Sequence, residues 1–85
     1  MEVKITIPEY SPERGLELSW VEDGEITVIR HSDTEIEILA NKEGLITLAT
    51  QFLTLAQENV RSTHYHLTHG SGLEDDSVDL IVSKK

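Results

Sequence analysis

Three of the four histidines fall within six consecutive positions, at His64, His66 and His69 in the stretch THYHLTHG. Imidazole titrates near neutral pH and is a common metal ligand, so metal binding and acid/base work are the two chemistries to weigh. On a strand, successive side chains point to opposite faces, which puts His64 and His66 on one face and Tyr65 and Leu67 on the other. An H-x-H pair on a strand can supply two ligands to zinc, with His69 as a third, and a catalytic zinc takes three protein ligands and a water. His69 has the opposite parity, however, and would need a bend at His69-Gly70 to join the pair. No spacing nominates a carboxylate ligand either.

As general bases, the histidines could be oriented by Glu35 or Glu37 with a serine as nucleophile. The chain has no nucleophile elbow, and no glycine-rich loop follows a strand and opens a helix, so nothing supplies the rest of such a site. The segment HGSG reads as a hairpin loop. The acids Glu74, Asp75, Asp76 and Asp79 lack the spaced oxygen ligands and turn glycine of a calcium loop, and read as a solvated turn that blunts a sheet edge. Solvated or cross-strand-paired imidazoles are thus the plainer reading, with no metal, no cofactor and no catalytic residue. A small enzyme, histidine-dependent or metal-dependent through His64, His66 and His69, stays as the alternative.

The charge balance points elsewhere. Seven basic against sixteen acidic residues give a formal net charge of −9, which disfavours nucleic acid and anionic membranes as partners and suits a basic one. There is no cysteine, so no disulfide or thiolate cluster can staple the fold. The first residues, MEVKITIPEYSPERG, lack a basic segment followed by an apolar one, and no apolar run approaches the roughly 18 residues of a membrane span. A cytoplasmic protein is expected.

The elements that must position these groups follow from periodicity. A chain of 85 residues is expected to form a single α+β domain over residues 1–85. Met1 to Ile7 alternates and reads as a first strand, ended by Pro8. LELSWV (residues 16–21) places Leu16, Leu18 and Trp20 on one face, and EITVIR (25–30) continues after a turn at Asp23-Gly24, where positive φ angles are tolerated. A second turn, HSDT, leads to TEIEILA (34–40), with Glu35 and Glu37 out and Ile36 and Ile38 in. The period then changes to 3.6: Leu45, Leu48, Ala49, Phe52, Leu55 and Ala56, widened by Ile46 and Leu53, predict a helix capped by Asn41 and ending around residues 58–61. STHYHLT (62–68) and VDLIVSKK (78–85) predict a closing hairpin. The expected architecture is an antiparallel sheet of about six strands in the order ββββαββ, with one helix packed on one face. So few apolar positions leave a thin margin, which a homodimer or another partner would widen.

Two surfaces follow from that scheme. The helix would turn Thr47, Thr50, Gln51, Thr54 and Gln57 to solvent, a neutral polar face for so charged a chain. The open face of the sheet would gather Glu17, Ser19, Glu35, Glu37, His64, His66 and Asp79 into an acidic platform that steers a basic macromolecule, or into an ordinary hydrated face. Of these, Glu17, Glu35, Glu37, His64, His66 and Asp79 are the candidate partner-binding residues.

The second half of the chain also resembles a known family. NKEGLITLATQFLTLAQ, then THYHL, then a turn with glycine and acids, then VDLIVSKK, is similar to the small bacterial immunity proteins of polymorphic toxin systems, immunity protein family thirty-two, over residues 41–85. The resemblance is carried by Gly44 and Leu45 at the helix start, the pairs Leu48-Ala49 and Leu55-Ala56, and the H-x-H-L of His64 to Leu67. It implies a non-enzymatic antidote that binds the toxic domain of a cognate effector, often a nuclease with a basic groove, and occludes its active site. No catalytic residue is carried over. A structural homodimeric subunit is the third reading.

Overall fold

The computed structural model describes residues 1–85. Two hairpins and one helix form: β1 (Ile26–Ser32) with β2 (Glu35–Ala40), α1 (Lys42–Leu55), and β3 (His64–Leu67) with β4 (Leu80–Ser83). In the first hairpin Ile26 faces Ala40 and Val28 faces Ile38, with a bulge between Arg30 and Ser32. In the second, Tyr65 faces Val82 and His66 faces Ile81. The hairpins are separate two-stranded antiparallel sheets. The architecture is therefore α+β, but the expected six-stranded sheet in the order ββββαββ does not form.

Two physical causes account for the difference. The N-terminal segments, expected as two strands, do not pair, and for residues 16–21 the reason is that side chains of α1 take up their main-chain groups. Thr47 Oγ1 accepts from the Val21 N–H at 2.9 Å, and Gln51 donates to the Ser19 carbonyl at 3.2 Å. Two residues past the end of α1, Gln57 holds the loop between the two segments, accepting from the Tyr10 N–H at 3.1 Å and donating to the Pro8 carbonyl at 2.9 Å. An extended segment bonded in this way satisfies its backbone without a ladder. The second cause is a kink. The free edge of β1 receives the Glu74 and Val78 N–H groups at the Ile26 and Val28 carbonyls, at 2.8 and 2.9 Å. Between those bonds Asp76 takes a φ of 71°, so the chain leaves the extended region and β4 begins only at Leu80.

The helix starts as its cap requires and faces as its sequence does not suggest. Asn41 accepts from the Gly44 N–H at 2.8 Å and from the Glu25 N–H at 2.9 Å, so one side chain closes the helix start and ties it to the approach of β1. The helix ends at Leu55, earlier than the expected 58–61. Its orientation is rotated from the expected one: Leu48 and Leu55 of the expected stripe do enter the core, but the rest of that stripe does not. Thr47 and Gln51 are 1% and 0% exposed, Thr50 and Thr54 are also buried, and Leu45, Phe52 and Leu53 are 54%, 44% and 50% exposed. Burial of the polar face is tolerated because each threonine satisfies its own hydroxyl: Thr47, Thr50 and Thr54 donate to the carbonyls of Glu43, Ile46 and Thr50 at 2.7–2.9 Å.

The core is small: Ile26, Val28, Leu48, Leu55, Val60, Tyr65, Leu67 and Leu73. Both hairpins and the helix contribute to it, and Leu16 and Leu18 of the N-terminal segment pack against it half-buried. Ile36 and Ile38, expected inward, share the Val28 side of the hairpin yet remain exposed, because β2 is an edge strand that overhangs the core. No helix is long and apolar enough to cross a membrane.

Candidate functional site

The strand that carries the histidines follows the expected parity. Tyr65 and Leu67 are buried, and His64 and His66 are exposed. The two imidazoles meet edge to face with ring centroids 5.0 Å apart. His69 lies at the exposed tip of the tight turn in which Thr68 and Ser71 exchange main-chain bonds of 2.9 and 3.0 Å. No group of three or more histidine, aspartate and glutamate side chains is placed to hold a metal ion.

The candidate carboxylates are distributed over several elements. Glu35 and Glu37 stand exposed on β2, Asp79 stands exposed just before β4, and Glu17 lies in the N-terminal segment, ion-paired with Arg14 at 3.2 Å. Ser19, expected beside them, is half-buried with its carbonyl held by Gln51. Because Ile26 and Val28 of one hairpin and Tyr65 and Leu67 of the other enter the same core, the residues of opposite parity on both hairpins turn away from it. These outward residues include Glu37 on β2 and His64 and His66 on β3, with Ile81 opposite His66.

One member of this surface was not singled out from the sequence. His31 Nε2 lies 2.8 Å from Glu37 Oε1, with both side chains about half exposed. The pair bridges β1 and β2 close to the turn, and the alternation of the hairpin would have placed His31 and Glu37 on one face. The turn itself is tied by an ion pair between Arg30 and Asp33. β2 presents Ile36, Ile38 and Leu39 exposed alongside its two glutamates, so this edge strand combines carboxylates with apolar surface.

Beneath the histidines, the Tyr65 hydroxyl is buried without a hydrogen-bond partner, and desolvation pushes its pKa up to about 12. Since the folded value lies above the unfolded one of about 10, the unfolded chain ionises first, and stability falls as pH rises from about 10 to about 12. The expected loss by the end of that window is about 2 kcal/mol. Tyr65→Phe should remove this alkaline loss and, by relieving the unpaired hydroxyl, leave the protein equal or up to about 1 kcal/mol more stable at pH 7. Urea denaturation of both proteins at pH 7 and at alkaline pH measures the two effects.

Comparison with known proteins gives a match over most of these elements. The family model for Immunity protein 32 matches residues 35–85, which run from the start of β2 through the helix and the histidine strand to the last residue. No curated protein and no solved structure matches.

Proposed function

The chain belongs to the Immunity protein 32 family, and from that premise we propose that it is a non-enzymatic antidote that binds and neutralises the toxic domain of a cognate effector through its acidic outward surface. The family match carries this reading. The charge of −9 supports it, because a toxin that acts on nucleic acid bears a basic groove in which carboxylates can take the place of phosphates. The contact surface proposed is centred on the outward side of β2: Glu35 and Glu37 supply charge, and the exposed Leu39 of the same parity supplies the apolar contact that charge alone lacks. His64, His66, Glu17 and Asp79 would form its outer parts. The site of action is proposed to be the cytoplasm.

The test is binding to the effector domain encoded next to this protein's gene. The double variant Glu35→Lys/Glu37→Lys is expected to slow association at least tenfold at low salt and to flatten its salt dependence, because charges at an interface act mainly on the rate of encounter. Glu2→Lys/Glu13→Lys alters the net charge equally at two other exposed sites and should leave the rate within about threefold. Equal effects of the two double variants would reject β2 as the contact strand. Failure of the unaltered protein to bind would reject the antidote reading itself.

A further inference from the structure

The helix turns an apolar stripe to solvent that no other part of the chain covers: Leu45, Ala49, Phe52, Leu53 and Ala56. We infer that this stripe pairs with the same stripe of a second copy of the chain, as an antiparallel two-helix seam with its twofold axis between Thr50 and Gln51. Leu45, Ala49, Phe52 and Ala56 are spaced by four, three and four residues, the repeat of a helix seam. Along it, side-chain size alternates between large and small. A twofold axis at the midpoint sets Leu45 against the partner's Ala56, and Ala49 against the partner's Phe52, so every large side chain meets a small one. Parallel pairing would set like against like, overpacking Leu45 and Phe52 and leaving gaps at the alanines. Only a partner bearing the same series in reverse fits this order along its whole length, and a second copy is such a partner.

Charge favours the same occupant. A chain of net charge −9 associates with itself most readily through a patch poor in acid, and in the groove at Leu45 the one acid, Glu2, stands among Lys4 and Lys42. Among the exposed positions of α1 the only charged residue is Lys42. Antiparallel pairing brings Lys42 to the C-terminal end of the opposing helix, where the last turn has no basic residue and the free carbonyls carry partial negative charge. The stripe also ends in a groove at each extremity: one of about 650 Å³ where Val3 lies beside Leu45, the other of about 220 Å³ where Val82 lies beside Phe52. The twofold axis places the first groove of one copy near the second groove of the other. The helices alone fall short of the roughly 800 Å² per partner of an ordinary stable interface, so these flanks must contribute, and the dimer is expected to exchange with monomer at micromolar concentrations.

Sedimentation equilibrium of the purified protein alone, from about 5 to about 500 μM, tests this independently of any effector. The mass is expected to rise from monomer to dimer across that range. Leu45→Ala and Ala56→Leu should each weaken the dimer at least tenfold. The double variant, which exchanges large for small at the two facing positions, should return it to within about threefold of the original. Ala49→Glu places a good helix former at an exposed position and should give a folded monomer by circular dichroism, which keeps the test decisive if either other substitution disturbs folding. A monomer at all concentrations, a dimer indifferent to Ala49→Glu, or a double variant as weak as the singles would overturn the inference. The first of those results would leave the stripe to a different protein.

Discussion

Gly44→Ala is expected to cost the fold at least about 3 kcal/mol, although alanine is favoured over glycine in a helix interior by about 1 kcal/mol. A Cβ at position 44 would run into the main-chain carbonyl oxygen of Glu25, and would stand 3.0 Å from Ile26 Cγ1 and 3.1 Å from Asn41 Oδ1. None of these can yield cheaply. Ile26 is in the core, and the Asn41 oxygen already holds the N–H groups of both Gly44 and Glu25. Backing the helix away would also break the bond of 3.1 Å from the Asn41 N–H to the Glu25 carbonyl. A chain of this length has a total stability of about 4 to 13 kcal/mol, so the loss takes a large part of it. Gly70→Ala is the control: a Cβ there meets nothing within 4 Å and φ is not positive, so its melting temperature should stay within a few degrees of the parent's. Equal melting of the two variants would mean that the helix start does not lie against β1 as described. The glycine that marks the helix opening in the family-like segment thus has a steric cause.

Features decided by near neighbours were legible in the sequence. The alternation of His64, Tyr65, His66 and Leu67 reports the sides of a strand directly, and it placed both imidazoles outward and both apolar residues in the core. Asn41 revealed the helix start because its partner, the Gly44 N–H, is three residues away. Both antiparallel hairpins, β1 with β2 and β3 with β4, could be read from the runs that form them. Features decided by what covers an element were not legible. Alternation in residues 1–7 and 16–21 is compatible with any extended chain, and for residues 16–21 only the distant Thr47 and Gln51 determine that helix side chains, rather than a strand, receive the backbone. The side of β2 that bears Ile36 and Ile38 was read correctly, but the extent of the core beneath them was not. The same cause hid the candidate docking stripe. An amphipathic helix is expected to bury its apolar face, and this one buries three threonines that satisfy themselves and one glutamine, Gln51, that donates to backbone. A clue was present in Thr47, Thr50 and Thr54, whose hydroxyls can be satisfied by carbonyls of their own helix.

The rotation of the helix makes a second large effect, and it separates two leucines only five positions apart. Leu48→Ala should destabilise the protein by about 2 to 5 kcal/mol, because Leu48 is 4% exposed and belongs to the core, where removed methyl groups leave a cavity that rigid neighbours do not refill. Leu53→Ala should cost less than about 1 kcal/mol, since half of that side chain is already in water and alanine has the higher helix propensity. If the helix instead buried the stripe its periodicity suggests, Leu48 and Leu53 would both line the core and the two losses would be comparable. Chemical denaturation at a protein concentration low enough to exclude self-association compares them directly, with an unchanged m-value confirming that only stability has altered. The same pair distinguishes folding from assembly: Leu48→Ala acts on the monomer at any concentration. A contact that forms only when a second copy arrives leaves the dilute chain as stable as before, so any cost of losing Leu53 beyond its small intrinsic term must grow with concentration.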